Sequence, residues 1–134
     1  MEQRLLINTE SNFEAFFGYS RAVRVGRHVY VAGTTAATPD GPVGGTDIAE
    51  QTREAFRRVE LSLHRAGARL CDVVRTRMFV TDMSAWPAIG RIHALIFEGI
   101  LPASTIVEVS SLILPDLLVE VEVDAVITDA ESGL

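Results

Sequence analysis

Lysine is missing altogether: all 12 basic residues of the 134-residue chain are arginines. That excludes Schiff-base chemistry on a lysine and the lysine-dependent phosphate loop. Cysteine is almost as scarce. Cys71 stands alone, so no internal disulfide can form, and no Cys/His spacing resembles a zinc site. His28, His64 and His93 are scattered, which gives no reason to expect a metal or another cofactor. No apolar run approaches the ~18–20 residues of a membrane-spanning helix. Met1-Glu2-Gln3-Arg4 lacks the basic and apolar regions of a signal peptide. The expectation is a cytoplasmic chain with no membrane partner. Basic residues are also outnumbered by acidic ones, 12 against 18, for a net charge of −6. This balance argues against a protein built to grip phosphate backbones, so nucleic acid is not the expected partner.

What is present suits one globular domain over residues 1–134, with 48% hydrophobic and 22% charged residues. Residues 3–8 read as a short strand, followed by a polar stretch through Phe17-Gly18-Tyr19-Ser20. Ala22–Val25 and His28–Ala32, separated by Gly26-Arg27, form a hairpin signal. Residues 36–46, with two prolines and three glycines, are a loop. A helix starts near Asp47, with Glu50 three residues on as a capping box and Gly67 as its stop. Its apolar positions are Ile48, Ala55, Phe56, Val59 and Leu63. A second helix spans about residues 84–98, with Trp86, Ile89, Ile92 or His93, and Ile96-Phe97 as its stripe. Between the helices lies a strand at 73–81, and two more follow at 104–110 and 117–127. The predicted order is β-β-β-α-β-α-β-β, an α/β (α+β) mixed sheet of about six strands with two helices on one face.

The last strand separates two unlike faces. Leu117, Val119, Val121, Val123, Ala125 and Ile127 point one way, while Leu118, Glu120, Glu122, Asp124 and Val126 point the other. In the strand at 73–81, Val74, Thr76, Met78 and Val80 share a face, opposite Arg75, Arg77 and Phe79. Two amphipathic helices can cover only one side of such a sheet. The charged side also carries Leu118, Val126, Phe79, Tyr30 and Ile106. Charges alone suit a solvated face with weak ion pairs. The mixture with aromatics and aliphatics suits a subunit interface better, so an oligomer is expected.

Several separated segments resemble one family, the Rid (YjgF) proteins. Gly18-Tyr19-Ser20-Arg21-Ala22-Val23-Arg24-Val25-Gly26 is similar to its Tyr-Ser-x-Ala segment, and Val31-Ala32-Gly33-Thr34-Thr35 to the small-residue strand end that follows. Glu50–Ala55 through Ala66-Gly67-Ala68, then Asp72-Val73-Val74, resemble its first helix and next strand. Pro102–Val109 and Leu118–Glu122 resemble its C-terminal signature. The resemblance runs from about residue 18 to 127. It implies a chorismate-mutase-like two-layer sandwich assembled as a homotrimeric barrel, with ligand clefts between neighbouring subunits. The best-known members hydrolyse enamines and imines to keto acids and ammonia. Others carry ribonuclease or translation-inhibitor labels, which the acidic charge of this chain disfavours.

Carried over by position, the resemblance makes Glu122 the acidic residue that positions the attacking water; the alternative is a plain ion pair with Arg75 or Arg77. Tyr19 becomes a cleft-lining phenol or a structural one, and Gly33 a backbone contact to ligand or a turn requirement. Deaminating members have an arginine directly after Pro-Ala to grip the substrate carboxylate; here Ser104 stands there. One hydroxyl does not replace a bidentate guanidinium. Arg75 and Arg77 are the candidates to supply that cation from another strand. Thr34, Thr35, Ser104 and Thr105 add small hydroxyls around the expected cleft. No Ser/His/Asp arrangement is visible, and a histidine on a helix face, as His93 is, is more often structural. Two readings stay open: a deaminase-like hydrolase acting on a small metabolite, and a trimer that binds a metabolite without turning it over.

Overall fold

The computed structural model describes residues 3–128. Six strands build one mixed sheet in the order β1-β2-β3-β6-β4-β5. β1 (Arg4–Ile7), β2 (Ala22–Val25), β3 (His28–Thr34), β6 (Val119–Val126) and β4 (Val73–Val80) pair antiparallel in that sequence. β5 (Ala103–Glu108) closes the far edge and runs parallel to β4. A parallel pair requires a crossover, and the helix at Trp86–Ile96 supplies it.

The expected helices form, and a third stands beside them. α1 (Asn12–Phe17) occupies the stretch expected to be irregular; Ser11 caps its start and Gly18 leaves it with φ 80. α2 (Ile48–Arg65) begins at Asp47, whose carboxylate accepts from the Ala49 and Glu50 amides. Glu50 lies 3.5 Å from Arg53 instead of closing a box. Gly67 follows the C-terminus of α2 with φ 86, a conformation that costs a residue with a Cβ atom strain. α3 (Trp86–Ile96) starts behind a 3-10 turn at Met83–Ala85, with Pro87 in its first turn, where no amide partner is lost.

α2 and α3 cover one face of the sheet. Ala55, Phe56, Val59 and Leu63 of α2 and Ile89, Ile92 and Phe97 from α3 and its end bury there. All but Ile92 join one cluster with Val29, Val31, Val73, Met78, Val80, Val119, Val121, Val123 and Ala125. Each fully buried aliphatic or aromatic side chain contributes about 1.5–3 kcal/mol relative to exposure. Trp86, placed on this stripe by periodicity, is 56% exposed, whereas Ile89 three residues on is fully buried, so the stripe begins at Ile89.

Two face assignments change. The β4–β6 register shifts between Val73 and Arg75. This bulge puts Val73 in the core at 3% exposure and turns Val74 out at 47%. Ile106 pairs with Met78 and packs partly buried against the core, so it lies on the helix side and not among the charges.

Candidate functional site

The uncovered face carries a ladder of charges along β4 and β6. Arg77 pairs in register with Glu122, and its Nη1 lies 3.3 Å from both Glu122 Oε1 and Asp124 Oδ2. Arg75 Nε is 4.0 Å from Asp124. Glu122 therefore occupies the ion pair that was its alternative role. Arg75 and Arg77 spend their charge on neighbouring carboxylates of the same chain. Thr105 sits beside Arg77 on this face.

Toward β3 the same face changes character. The carboxylate of Glu120 leans over the β3 backbone at Gly33, so close that a Cβ atom at position 33 would run into it. Glycine at 33 leaves the room this carboxylate occupies; a side chain there would push Glu120 out of its place. Burial raises the Glu120 pKa, opposed by the positive charge of Arg21 and reinforced by the negative charge of Glu122. Arg21 Nη2 donates to the Gly33 carbonyl at 2.6 Å. Its guanidinium carbon stands 5.6 Å from the centre of the Tyr19 ring, a cation–π contact. Its Nε is buried with no hydrogen-bond partner among the described residues. Tyr19 is half-buried and meets Phe17 edge-on at 6.0 Å.

Tyr19, Arg21, Gly33 and Glu120 thus form one cluster, of which the sequence reading named only the first and third. Glu120 and Glu122 alternate on the same face, and nothing in their own strand distinguishes them. The register of β6 against β3 does. Arg21 has a sequence signal, since it lies in the Tyr-Ser-x-Ala segment two residues after Tyr19.

The four small hydroxyls are not one cluster within a subunit. Thr34 is buried and donates to the Ala32 carbonyl at 2.7 Å, and Thr35 accepts from the Ala37 amide at 3.3 Å. Ser104 and Thr105 lie on β5, with β6 and β4 between them and β3. They also face opposite ways. Ser104 points to the helix side, where Thr76 Oγ1 donates to its Oγ at 2.8 Å. The same Thr76 oxygen lies 2.8 Å from Nε2 of His93 on α3. The imidazole meets Phe97 at 4.7 Å and Phe56 at 5.9 Å between ring centres, and burial lowers its pKa. Periodicity placed His93 on the helix stripe but could not show the hydroxyl pair it meets.

A surface depression bounded by Asn8, Ser11, Glu14 and Tyr19 borders the cluster, yet neither Gly33 nor Glu120 lines it. Among the described residues no group of three or more His, Cys, Asp or Glu side chains could hold a metal ion. No helix among them is long and apolar enough to cross a membrane.

Comparison with known proteins places this geometry in a family. The model of the endoribonuclease L-PSP family matches residues 9–127. An uncharacterized protein of Streptomyces coelicolor is 36% identical over 119 residues, 89% of each chain. The rat 2-iminobutanoate/2-iminopropanoate deaminase is 30% identical over 110 residues, 81% of this chain and 80% of the rat protein. Among solved structures, Rv2704 of Mycobacterium tuberculosis, described as a member of the YjgF/YER057c/UK114 family, superposes with a TM-score of 0.86. It is 51% identical, over 93% of this chain and 100% of that one. A match across nearly the whole described sheet, in sequence and in backbone, shows that the chain belongs to the endoribonuclease L-PSP family, the YjgF or Rid proteins.

Proposed function

We propose that the protein works as a homotrimer that takes a small, carboxylate-bearing imine into a cleft between neighbouring subunits and hydrolyses it. The observation that carries this reading is the desolvated Glu120 carboxylate held against Gly33 beside Arg21. A raised carboxylate pKa brings an acid–base group closer to the working pH, where proton transfer is most effective. Glu120 takes a proton from water as the oxygen attacks the imine carbon and returns it to nitrogen. The tetrahedral adduct then collapses to a carbonyl compound and ammonia. This moves the water-positioning role expected of Glu122 two residues along the strand, to the next side chain on the same face. Arg21, partly exposed and with its positive charge beside Glu120, is the cation that a substrate carboxylate would meet. Arg75 and Arg77, already neutralised, are poorer candidates.

Support for the intersubunit cleft comes from the cluster lying on an open sheet face. The name of the rat relative supports the imine as substrate class. Ser104, in the place of the arginine of deaminating members, favours the second reading, a trimer that binds such a metabolite without turnover. RNA cleavage finds no support on a face whose arginines are paired with acids.

Freshly generated 2-iminopropanoate separates these readings. Ammonia release above the buffer rate is expected, lowered by about 100-fold or more in Glu120→Gln. Glu122→Gln should change it less than tenfold. Thermal stabilisation by the corresponding keto acid without ammonia release would establish the binding reading and overturn hydrolysis.

A further inference from the structure

The helix-covered side of β4 is apolar except at one position. Val73, Met78 and Val80 are the buried residues there, and Thr76, 0% exposed, breaks the series with a hydroxyl. Valine has the same shape and would bury no polar group, so this hydroxyl carries a cost that its partners must offset. Thr76 and His93 alone would make a closed, satisfied pair. The chain does not close: it continues from Thr76 to Ser104, which is exposed on the edge strand β5.

Each hydroxyl has one proton, and that fixes how the three groups act together. With Thr76 donating to Ser104, His93 must donate from Nε2, and the Ser104 proton faces outward. When the Ser104 proton turns inward, Thr76 donates to Nε2, and His93 becomes the terminal acceptor. The ring contacts with Phe56 and Phe97 hold the imidazole in place for either arrangement. Burial keeps it neutral near pH 7, as an acceptor must be.

We propose that Ser104 is an activated nucleophile whose proton is drawn through Thr76 to His93, so that the β5 position where deaminating members carry their arginine reacts here with small acyl and phosphoryl electrophiles. Ser104 Oγ bonds to the electrophilic atom while its proton passes to Thr76 Oγ1 and the Thr76 proton passes to His93 Nε2. The leaving group departs with its electron pair. With an ester, water then attacks the acyl-serine and passes one of its protons through solvent to the departed alkoxide; the proton on His93 returns through Thr76 to Ser104, and the carboxylic acid is released. Ser104 is the residue that touches substrate; Thr76 and His93 are positioning residues that act through it. Within one subunit these three side chains make no bond to Glu120, so labelling of Ser104 and hydrolysis through Glu120 can fail separately.

An alkyl fluorophosphonate tests it on the full chain. The reagent loses fluoride on bonding to an activated serine, and the adduct is located by peptide mass. The expected adduct is on Ser104 and absent in Ser104→Ala. Thr76→Val should slow labelling by about 100-fold or more, the scale of a lost general base, while Thr76→Ser restores most of the rate. The wild-type rate should rise with pH to a plateau, with its midpoint below the ordinary imidazole value, and His93→Gln should remove that midpoint. A role confined to packing moves none of these. No adduct on Ser104, a rate climbing with hydroxide without a plateau, or a folded Thr76→Val variant labelled as fast as wild type overturns the proposal. Should Thr76→Val not fold, the wild-type pH profile and Ser104→Ala, a surface change, decide it.

Discussion

Under the helices, Gln51 is fully buried and makes three bonds: its Nε2 donates to the Gly45 and Asp116 carbonyls at 2.7 and 3.1 Å, and its Oε1 accepts from the Leu118 amide at 3.0 Å. On the opposite face, Arg77 shares one nitrogen between two carboxylates at 3.3 Å and keeps 38% of its side chain exposed. Both groups join strands and loops distant in sequence, yet they differ in what fixes them. Without water, each polar atom needs one partner in one place; with water, several arrangements are nearly equal. The covered face therefore specifies the fold, and the open face is free to serve something else.

If the covered face carries stability, truncating it should cost most. Phe56→Ala removes a ring that is 2% exposed and touches both Phe97 and His93. A loss of about 3–5 kcal/mol in denaturant unfolding is expected. Next comes Gln51→Leu, which keeps the bulk and strands two carbonyls and an amide; about 2–3 kcal/mol should be lost. A loss no greater than that of a surface substitution would mean that water replaces Gln51, and the contrast between faces would fail. Arg77→Leu should change the stability of the chain by less than about 1 kcal/mol. A larger loss, with sedimentation showing smaller particles, would mean that neighbouring copies cover this face and bury its charges.

The same contrast explains what could be read from the sequence. Alternation in residues 119–126 is enforced by burial on one side, so the sheet, the order of elements along the chain and the two covering helices were legible. The bulge that exchanges Val73 for Val74 was not, because two adjacent valines satisfy either register. Nor was α1, whose exposed Phe13, Phe16 and Phe17 follow no buried stripe. Of the site, Tyr19 and Gly33 were visible through the resemblance. The grouping of Glu120 with them depends on which strand lies beside β6, and no property of residues 119–126 carries that. The pairing of Ser104 with Thr76 likewise appears only when β5 aligns with β4.

The smallest effect is also the most discriminating, because two carboxylates should respond to pH with opposite signs. Glu54 accepts from Arg57 and Arg58 at 2.7 Å, and these bonds, against the cost of burial, lower its pKa from 4.5 to about 2. Arg58 also donates to the Thr35 and Ala37 carbonyls, so the pair ties α2 to the loop after β3. Folding there is favoured by ionisation: the contribution is full above pH 4.5 and is lost as pH falls toward about 2. Glu120 is the reverse case. Its raised pKa means that the folded chain holds the proton more tightly than the unfolded one, so its contribution is present below 4.5 and lost as pH rises through the raised value. Melting curves from pH 3 to 8 should show Glu54→Gln destabilised near neutrality, with the deficit shrinking in acid. Glu120→Gln should gain on the wild type as pH rises. If Glu120→Gln instead tracked Glu54→Gln, Glu120 would be one more ion-pair residue of the sheet. If it gains, the protein retains near pH 7 a charge that opposes its own folding, as expected of a carboxylate held for chemistry.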